Sequence, residues 1–235
     1  MMEPITDVWR EVTGTQPVPD GVVLASFLFA LLLVVVPRPW RIARHALTIA
    51  HEGSHGVAAL VTGRQLAGIR LHSDTSGLTV SRGRPTGPGM VVTAAAGYVG
   101  PAVLGLGAAS LLGAGHALAV LWLAVLLLAL LLLQIRNFYG LYAVLVAGLG
   151  VFAVSWWGSA GWQSLAAYAG TWFLLLGSPR AVIELQIHRR RGRGGSSDAD
   201  ALARLTGLPG LVWVGFFLVV TVACLVVGAA QLVDL

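Results

Sequence analysis

The sequence of 235 residues contains no lysine, a single cysteine (Cys224) and only 25 formally charged side chains. Charged residues make up 11% of the chain, whereas about a quarter is usual in a soluble domain. So few charges cannot cover the surface of a soluble fold of this size. The lone cysteine excludes a disulfide framework and a multi-cysteine zinc site.

Long stretches of the chain carry no charge at all. Residues 85–135, 137–179 and 205–233 contain no Asp, Glu, Lys or Arg, and 57% of the chain is hydrophobic. A helix needs about 20 apolar residues to cross a bilayer. We therefore expect an all-α polytopic membrane protein with about seven transmembrane helices and the lipid bilayer as its surroundings. The predicted helices are 21–37, 42–63, 88–113, 116–135, 138–156, 161–178 and 209–232.

Two stretches fall outside these helices. Residues 66–84 contain two β-compatible runs around a DTSG turn and predict a β-hairpin, and residues 180–204 predict a basic loop. We expect residues 1–20 to form an N-terminal segment and residues 21–235 a single membrane-embedded domain.

The arginines predict the orientation in the membrane. If all seven helices cross, 12 arginines lie on the side of the N-terminus, the hairpin and the basic loop, and 3 lie on the other. The positive-inside rule then places these segments in the cytoplasm. It also explains the basic charge without a nucleic-acid partner. The use of arginine alone, with abundant Ala, Gly, Val and Leu, points to a GC-rich bacterium, so the expected location is the cytoplasmic membrane.

The second predicted helix contains the pattern H-E-x-x-H at His51-Glu52-Gly53-Ser54-His55. Residues four apart share one face of a helix, so both imidazoles can reach a single tetrahedral metal ion. A glutamate in this pattern can take a proton from metal-activated water. Glu52 is also the only acidic residue within the predicted apolar helices. A charge at membrane depth costs several kcal/mol unless it is paired or linked to a metal, and Zn²⁺ accounts for this group. The alternative is a buried His/Glu hydrogen-bond cluster or a proton relay.

With this motif the sequence resembles the site-2-protease class (peptidase family M50) of intramembrane zinc metallopeptidases, specifically the short M50B-like bacterial members. The resemblance rests on HEGSHGVAALVTG, the hairpin GIRLHSDTSGLTVSRG, the segment AAAGYVGPAVLG and the late SSDADALARLTGLP. It implies Zn²⁺ as cofactor and cleavage of peptide bonds within or beside the membrane, with a membrane protein or peptide as substrate.

The resemblance also implies roles for individual residues. His51 and His55 would be zinc ligands and Glu52 the general base. The family's third ligand is an aspartate within Leu-Asp-Gly, which this chain lacks, and Asp198 is the closest match. Asp198 or Ser197 would otherwise simply cap a short helix over 199–205. The alternatives for the third ligand are Asp200, Asp74, His72, Glu184 and His188.

A second departure concerns the family's Gly-Pro pair, which is followed by an asparagine that, as the resemblance implies, contacts the substrate or the oxyanion. Here Gly100-Pro101 is followed by Ala102-Val103-Leu104, and Asn137 is the nearest substitute. The chain also has no PDZ-like insertion. The leading prediction is a zinc-dependent intramembrane endopeptidase. The alternatives are a non-proteolytic scaffold or metal-binding protein of the same fold, and a transporter or proton relay.

Overall fold

The computed structural model describes residues 9–192 and 197–233. Eight helices and one hairpin within these residues make up the fold, and the helices are numbered α1 to α8 in chain order. The helices are α1 (Val22–Val35), α2 (Pro37–Val61), α3 (Pro88–Gly113), α4 (Ala117–Leu132), α5 (Phe138–Trp157), α6 (Ala160–Arg190), α7 (Asp198–Thr206) and α8 (Gly210–Val233). The strands are β1 (Gln65–Leu71) and β2 (Gly77–Arg82). The prediction of an all-α polytopic architecture with a small hairpin is confirmed.

Three of the described helices, α3, α5 and α8, are long and apolar enough to cross a membrane. The pair α1 and α2 is bent by 101° and passes the same test together, as one broken span or a re-entrant loop, and α4 is a shorter apolar helix. The bend lies at Val36, which is extended because a proline disfavours the helical conformation of the residue before it. The same proline, Pro37, starts α2, five residues before the predicted start. The count of seven spans stays a prediction.

The predicted basic loop 180–204 is wrong over its first part, because α6 continues through Pro179 to Arg190. The predicted helix 161–178 ends before Pro179 because proline usually interrupts a helix. Neighbouring helices can nevertheless stabilise a helix that contains a proline. Pro179 is buried, as are Gly177 and Ser178 before it. Residues 193–196 lie outside the described part of the chain. The last part of the predicted loop forms α7.

The hairpin spans residues 65–82 and so begins one residue before the predicted range 66–84. Its strands are antiparallel, with a bulge between Leu66 and Gly68. The other edge of β1 pairs with the segment after α4: the Ile69 amide donates to the Gln134 carbonyl at 2.8 Å, and the Arg136 amide donates to the Ile69 carbonyl at 2.9 Å. Within the described residues, no further strand pairs with β2.

The described N-terminal residues lie at the end of the bundle opposite the hairpin. The Gln16 amide donates to the Gly115 carbonyl at 2.8 Å, and its side-chain oxygen accepts from the Leu118 amide at 2.9 Å. The helix α3 starts soon after the hairpin and spans 26 residues, about 39 Å, before this connection. If α3 crosses the membrane, Gln16 and the hairpin therefore lie on opposite sides, whereas the arginine count predicts one side for the N-terminus and the hairpin. That prediction requires α1 and α2 to cross separately, and the two helices form one pair bent by 101°.

Candidate metal centre

The helix α2 carries His51 and His55 on one face, as the four-residue spacing predicts. Their Nε2 atoms lie 3.1 Å apart, and their rings meet edge to face with centroids separated by 4.7 Å. His55 is buried and His51 is partly buried. The two imidazoles therefore converge on one point beside the helix.

The first residue of α7 completes the group. Asp198 Oδ2 lies 3.2 Å from Nε2 of His51 and 3.3 Å from Nε2 of His55. Ligands held about 2.0–2.1 Å from a tetrahedral Zn²⁺ lie about 3.3–3.4 Å apart. The three atoms thus nearly match one face of a coordination tetrahedron. Two imidazoles and a carboxylate are also a donor set that zinc accepts, and three protein ligands leave a fourth position for water or substrate.

The described residues contain one group of His, Cys, Asp or Glu side chains close enough to share an ion, namely His51, His55 and Asp198. The other predicted candidates for the third ligand lie outside this group: Asp200, Asp74, His72, Glu184 and His188. Asp200 pairs with Arg189, and Glu184 pairs with Arg44.

The environment of the group favours the ligand states that a metal needs. The Nδ1 of His55 donates to the Thr93 carbonyl at 2.7 Å, which leaves its Nε2 lone pair directed at the other two groups. Without a metal ion, burial opposes ionisation of Asp198, but the charge of protonated His55 and hydrogen bonds from both imidazoles outweigh burial and lower the pKa of Asp198. A bound cation would replace the imidazole protons in stabilising this carboxylate.

Two glycines of α3 allow the close approach of the two helices at the site. A methyl group on Gly97 would overlap Nε2 of His55, and one on Gly100 would overlap the Ser54 hydroxyl. The next residue, Tyr98, meets the His51 ring edge to face at 4.9 Å and stacks on Phe217. The AAAGYVGP segment contributed to the resemblance, but the contact of Gly97 with the imidazoles depends on packing and was not foreseen from the sequence.

Glu52 is buried beneath the hairpin. The hydroxyl of Thr79 on β2 donates to Glu52 Oε2 at 2.6 Å and lies 3.0 Å from the Glu52 carbonyl oxygen. The backbone of Gly77 lies so close that a methyl group there would overlap the carboxylate. Sequence reasoning missed Thr79, and no local signal marks it because strand and helix meet only in the folded protein.

Asn137, the nearest substitute for the family's asparagine, is bound to the hairpin. Its side-chain amide donates to the Leu71 carbonyl at 2.7 Å and accepts from the Leu71 amide at 3.2 Å. The Asn137 side chain thus satisfies the backbone groups at the end of β1, as a neighbouring strand would. Asn137 also precedes α5, but its side chain makes no capping hydrogen bond to that helix.

The helix α7 starts one residue earlier than predicted, and Ser197 is its N-cap. The Ser197 side chain accepts a hydrogen bond from the Asp200 amide, as an N-cap serine commonly does. Asp198 therefore follows the cap directly, and its side chain faces the imidazoles.

The sequence matches the family model described as Peptidase M50B-like over residues 24–228, which is most of the chain. Comparisons with curated proteins and with solved structures give no match. The matched range contains H-E-x-x-H, the hairpin and Asp198. The chain belongs to the Peptidase M50B-like family.

Proposed function

We propose that this protein is a zinc-dependent intramembrane endopeptidase, in which His51, His55 and Asp198 hold the metal and Glu52 is the general base. The observation that carries the proposal is the triangle of ligand atoms, with sides of 3.1, 3.2 and 3.3 Å, beside a glutamate in H-E-x-x-H. Family membership supports a peptidase.

Zinc, when bound, supplies Lewis acidity that activates water and polarises the scissile carbonyl. Glu52 takes a proton from the attacking water as its oxygen bonds to the carbonyl carbon. The same carboxyl group then gives that proton to the leaving amine as the C–N bond breaks. Thr79 holds one Glu52 oxygen by a hydrogen bond, and the other oxygen, which lies against the backbone of Gly77, would carry out the proton transfer.

The free edge of β2 is the proposed binding surface for an extended substrate. Thr79 brings this strand against Glu52, and the neighbouring Leu78 and Val80 are exposed apolar side chains. A peptide that adds to a sheet edge gains backbone hydrogen bonds, while alternate side chains contact the protein. A transmembrane substrate must first unwind, because its helix keeps the scissile carbonyl hydrogen-bonded and screened.

The arginines support a cytoplasmic position for the hairpin end. Among the described arginines, those of the hairpin, its flanking turns and the segment after α4 lie at this end: Arg64, Arg70, Arg82, Arg84 and Arg136. Arg10 belongs to the segment that ends at Gln16, at the opposite end: its carbonyl accepts from the Gly14 amide, and the Gln16 side chain donates to the Glu11 carbonyl. By the positive-inside rule, these arginines support a position of the hairpin and the proposed metal centre towards the cytoplasm of a bacterial cell, with Gln16 on the other side.

The experiment compares zinc content with peptide hydrolysis. Wild type and Glu52→Gln are purified in detergent, assayed for zinc by elemental analysis, and incubated with a membrane-spanning peptide. We expect about one zinc per chain in both proteins and hydrolysis by the wild type only. A wild type without zinc overturns the proposal.

A second function follows from the missing asparagine after Gly100-Pro101. A zinc-binding scaffold that holds membrane peptides without cleaving them needs the same metal group but no oxyanion contact. It predicts zinc in both proteins and equally intact peptide with both.

A further inference from the structure

Asp198 needs more than its own helix to hold its position. It starts a helix of only nine residues, α7, anchored by the buried side chains of Ala199 and Leu202. These two side chains bury one face of α7 against Val182, Leu185 and Phe217. Apolar contacts of this kind set the depth of a helix but direct a neighbouring carboxylate only loosely, since they have no angular preference.

The end of α6 provides the directional contact. Arg189 donates to Asp200 Oδ1 through Nη2 at 2.7 Å and through Nε at 3.2 Å. Ser197 donates to the other Asp200 oxygen. The side chains of Arg189 and Asp200 are only 19% and 21% exposed, so water competes weakly for this pair. Asp200 is thus bonded to α6, and Ser197, the residue before Asp198, is bonded to Asp200.

The start of α8 is shaped around the same guanidinium. A methyl group on Gly210 would overlap Nη2 of Arg189 and lie 2.9 Å from its Cζ. The side chain of Arg189, at the end of α6, is therefore packed against α7 and α8. The arginine-rich sequence HRRRGR predicts a solvated loop here instead. The neighbouring Arg190 is exposed by contrast.

We propose that Arg189, acting through Asp200, is a positioning residue that directs the Asp198 carboxylate at the two imidazoles. The proposal rests on the metal site proposed above. Arg189 touches neither the metal position nor Glu52 within the described contacts. Its effect passes along the first turn of α7, so it must disappear when Asp198 has no carboxylate to direct.

The test measures Zn²⁺ affinity by chelator competition on the full chain in detergent. The proteins are wild type, Arg189→Ala, Asp198→Ala and the double variant, with Arg190→Ala as the matched control. Groups that orient metal ligands typically contribute about 10- to 100-fold to affinity. We expect Arg189→Ala to weaken binding by about tenfold in the wild-type background and to have no effect in the Asp198→Ala background. The control should bind as the wild type does.

Two results overturn the proposal: unchanged affinity in Arg189→Ala, or an equal loss in both backgrounds, which would show a general structural role. If Arg189→Ala does not fold, Gly210→Ala replaces it, since its methyl group displaces the guanidinium while the ion pair's residues remain. Arg189→Lys keeps the charge but loses the fork of donors, and should lie between wild type and Arg189→Ala. If the wild type binds no zinc, the metal site itself is refuted. If the wild type binds zinc and Arg189→Ala binds it equally well, only the role of Arg189 is refuted.

Discussion

Replacing Gly97 with alanine tests the contact between α2 and α3 at the proposed metal centre. A Cβ at this position would lie 2.6 Å from Cε1 and from Nε2 of His51 and would overlap Nε2 of His55. Carbon atoms in contact are separated by about 3.5 Å or more, so the imidazoles or the α3 backbone must move by about 1 Å. Metal sites hold their ligand distances within about 0.2 Å. We therefore expect Gly97→Ala to lose about 10- to 100-fold in Zn²⁺ affinity.

The assay is chelator competition in detergent, with thermal unfolding measured in parallel. Overpacking of this kind costs about 1–3 kcal/mol, so some destabilisation accompanies the loss of affinity. Gly107 lies on the same helix, and a Cβ there meets no heavy atom within 4 Å, so Gly107→Ala is the matched control. Wild-type zinc affinity in Gly97→Ala would refute the claim that the two imidazoles stand against α3 at the metal position.

Three further predictions follow from the hairpin and the bent helix pair. Thr79→Val removes the hydroxyl that donates to Glu52, and a hydrogen bond to a charged group contributes about 1.5–3 kcal/mol. We therefore expect kcat/KM for a membrane peptide to fall about tenfold or more with zinc content unchanged, and the control Thr79→Ser to behave as the wild type. Asn137→Ala breaks both side-chain bonds to β1, so hydrogen exchange of β1 amides should accelerate while zinc affinity is retained; unchanged exchange would contradict this role. In a cysteine-free background, Thr15→Cys and Ser73→Cys should react with a membrane-impermeant thiol reagent from opposite sides of the membrane, and labelling from one side would restore the orientation predicted by the arginine count.

The features predictable from the sequence are those set by local pattern. The spacing of His51 and His55 determines that they share a helix face, and uncharged stretches determine where apolar helices run. The turn residues between two β-compatible runs likewise predict the hairpin. Each of these features depends on residues that are close in the chain, so a single sequence is enough to identify it.

Contacts between segments that are distant in the chain cannot be predicted in this way, because they depend on tertiary packing. Asp198 was one of several candidates because its place beside the imidazoles depends on the packing of α7. Pro179 predicts the end of a helix, but the helix continues to Arg190 because neighbouring helices pack around it. Arg189 lies in a run of arginines typical of a solvated loop, and its folded-state contacts with Asp200 and Gly210 distinguish it from Arg190. The 101° bend between α1 and α2 is likewise not visible in a hydropathy pattern.

X-ray absorption at the zinc edge tests the central claim most directly. The measurement uses the zinc-loaded full chain and its Asp198→Ala variant. For the wild type we expect a four-coordinate site with two imidazoles and oxygen ligands at about 2.0–2.2 Å. Asp198→Ala should lose the carboxylate contribution while it keeps both imidazoles. A spectrum with no imidazole scattering, or one that Asp198→Ala leaves unchanged, would contradict the metal centre formed by His51, His55 and Asp198.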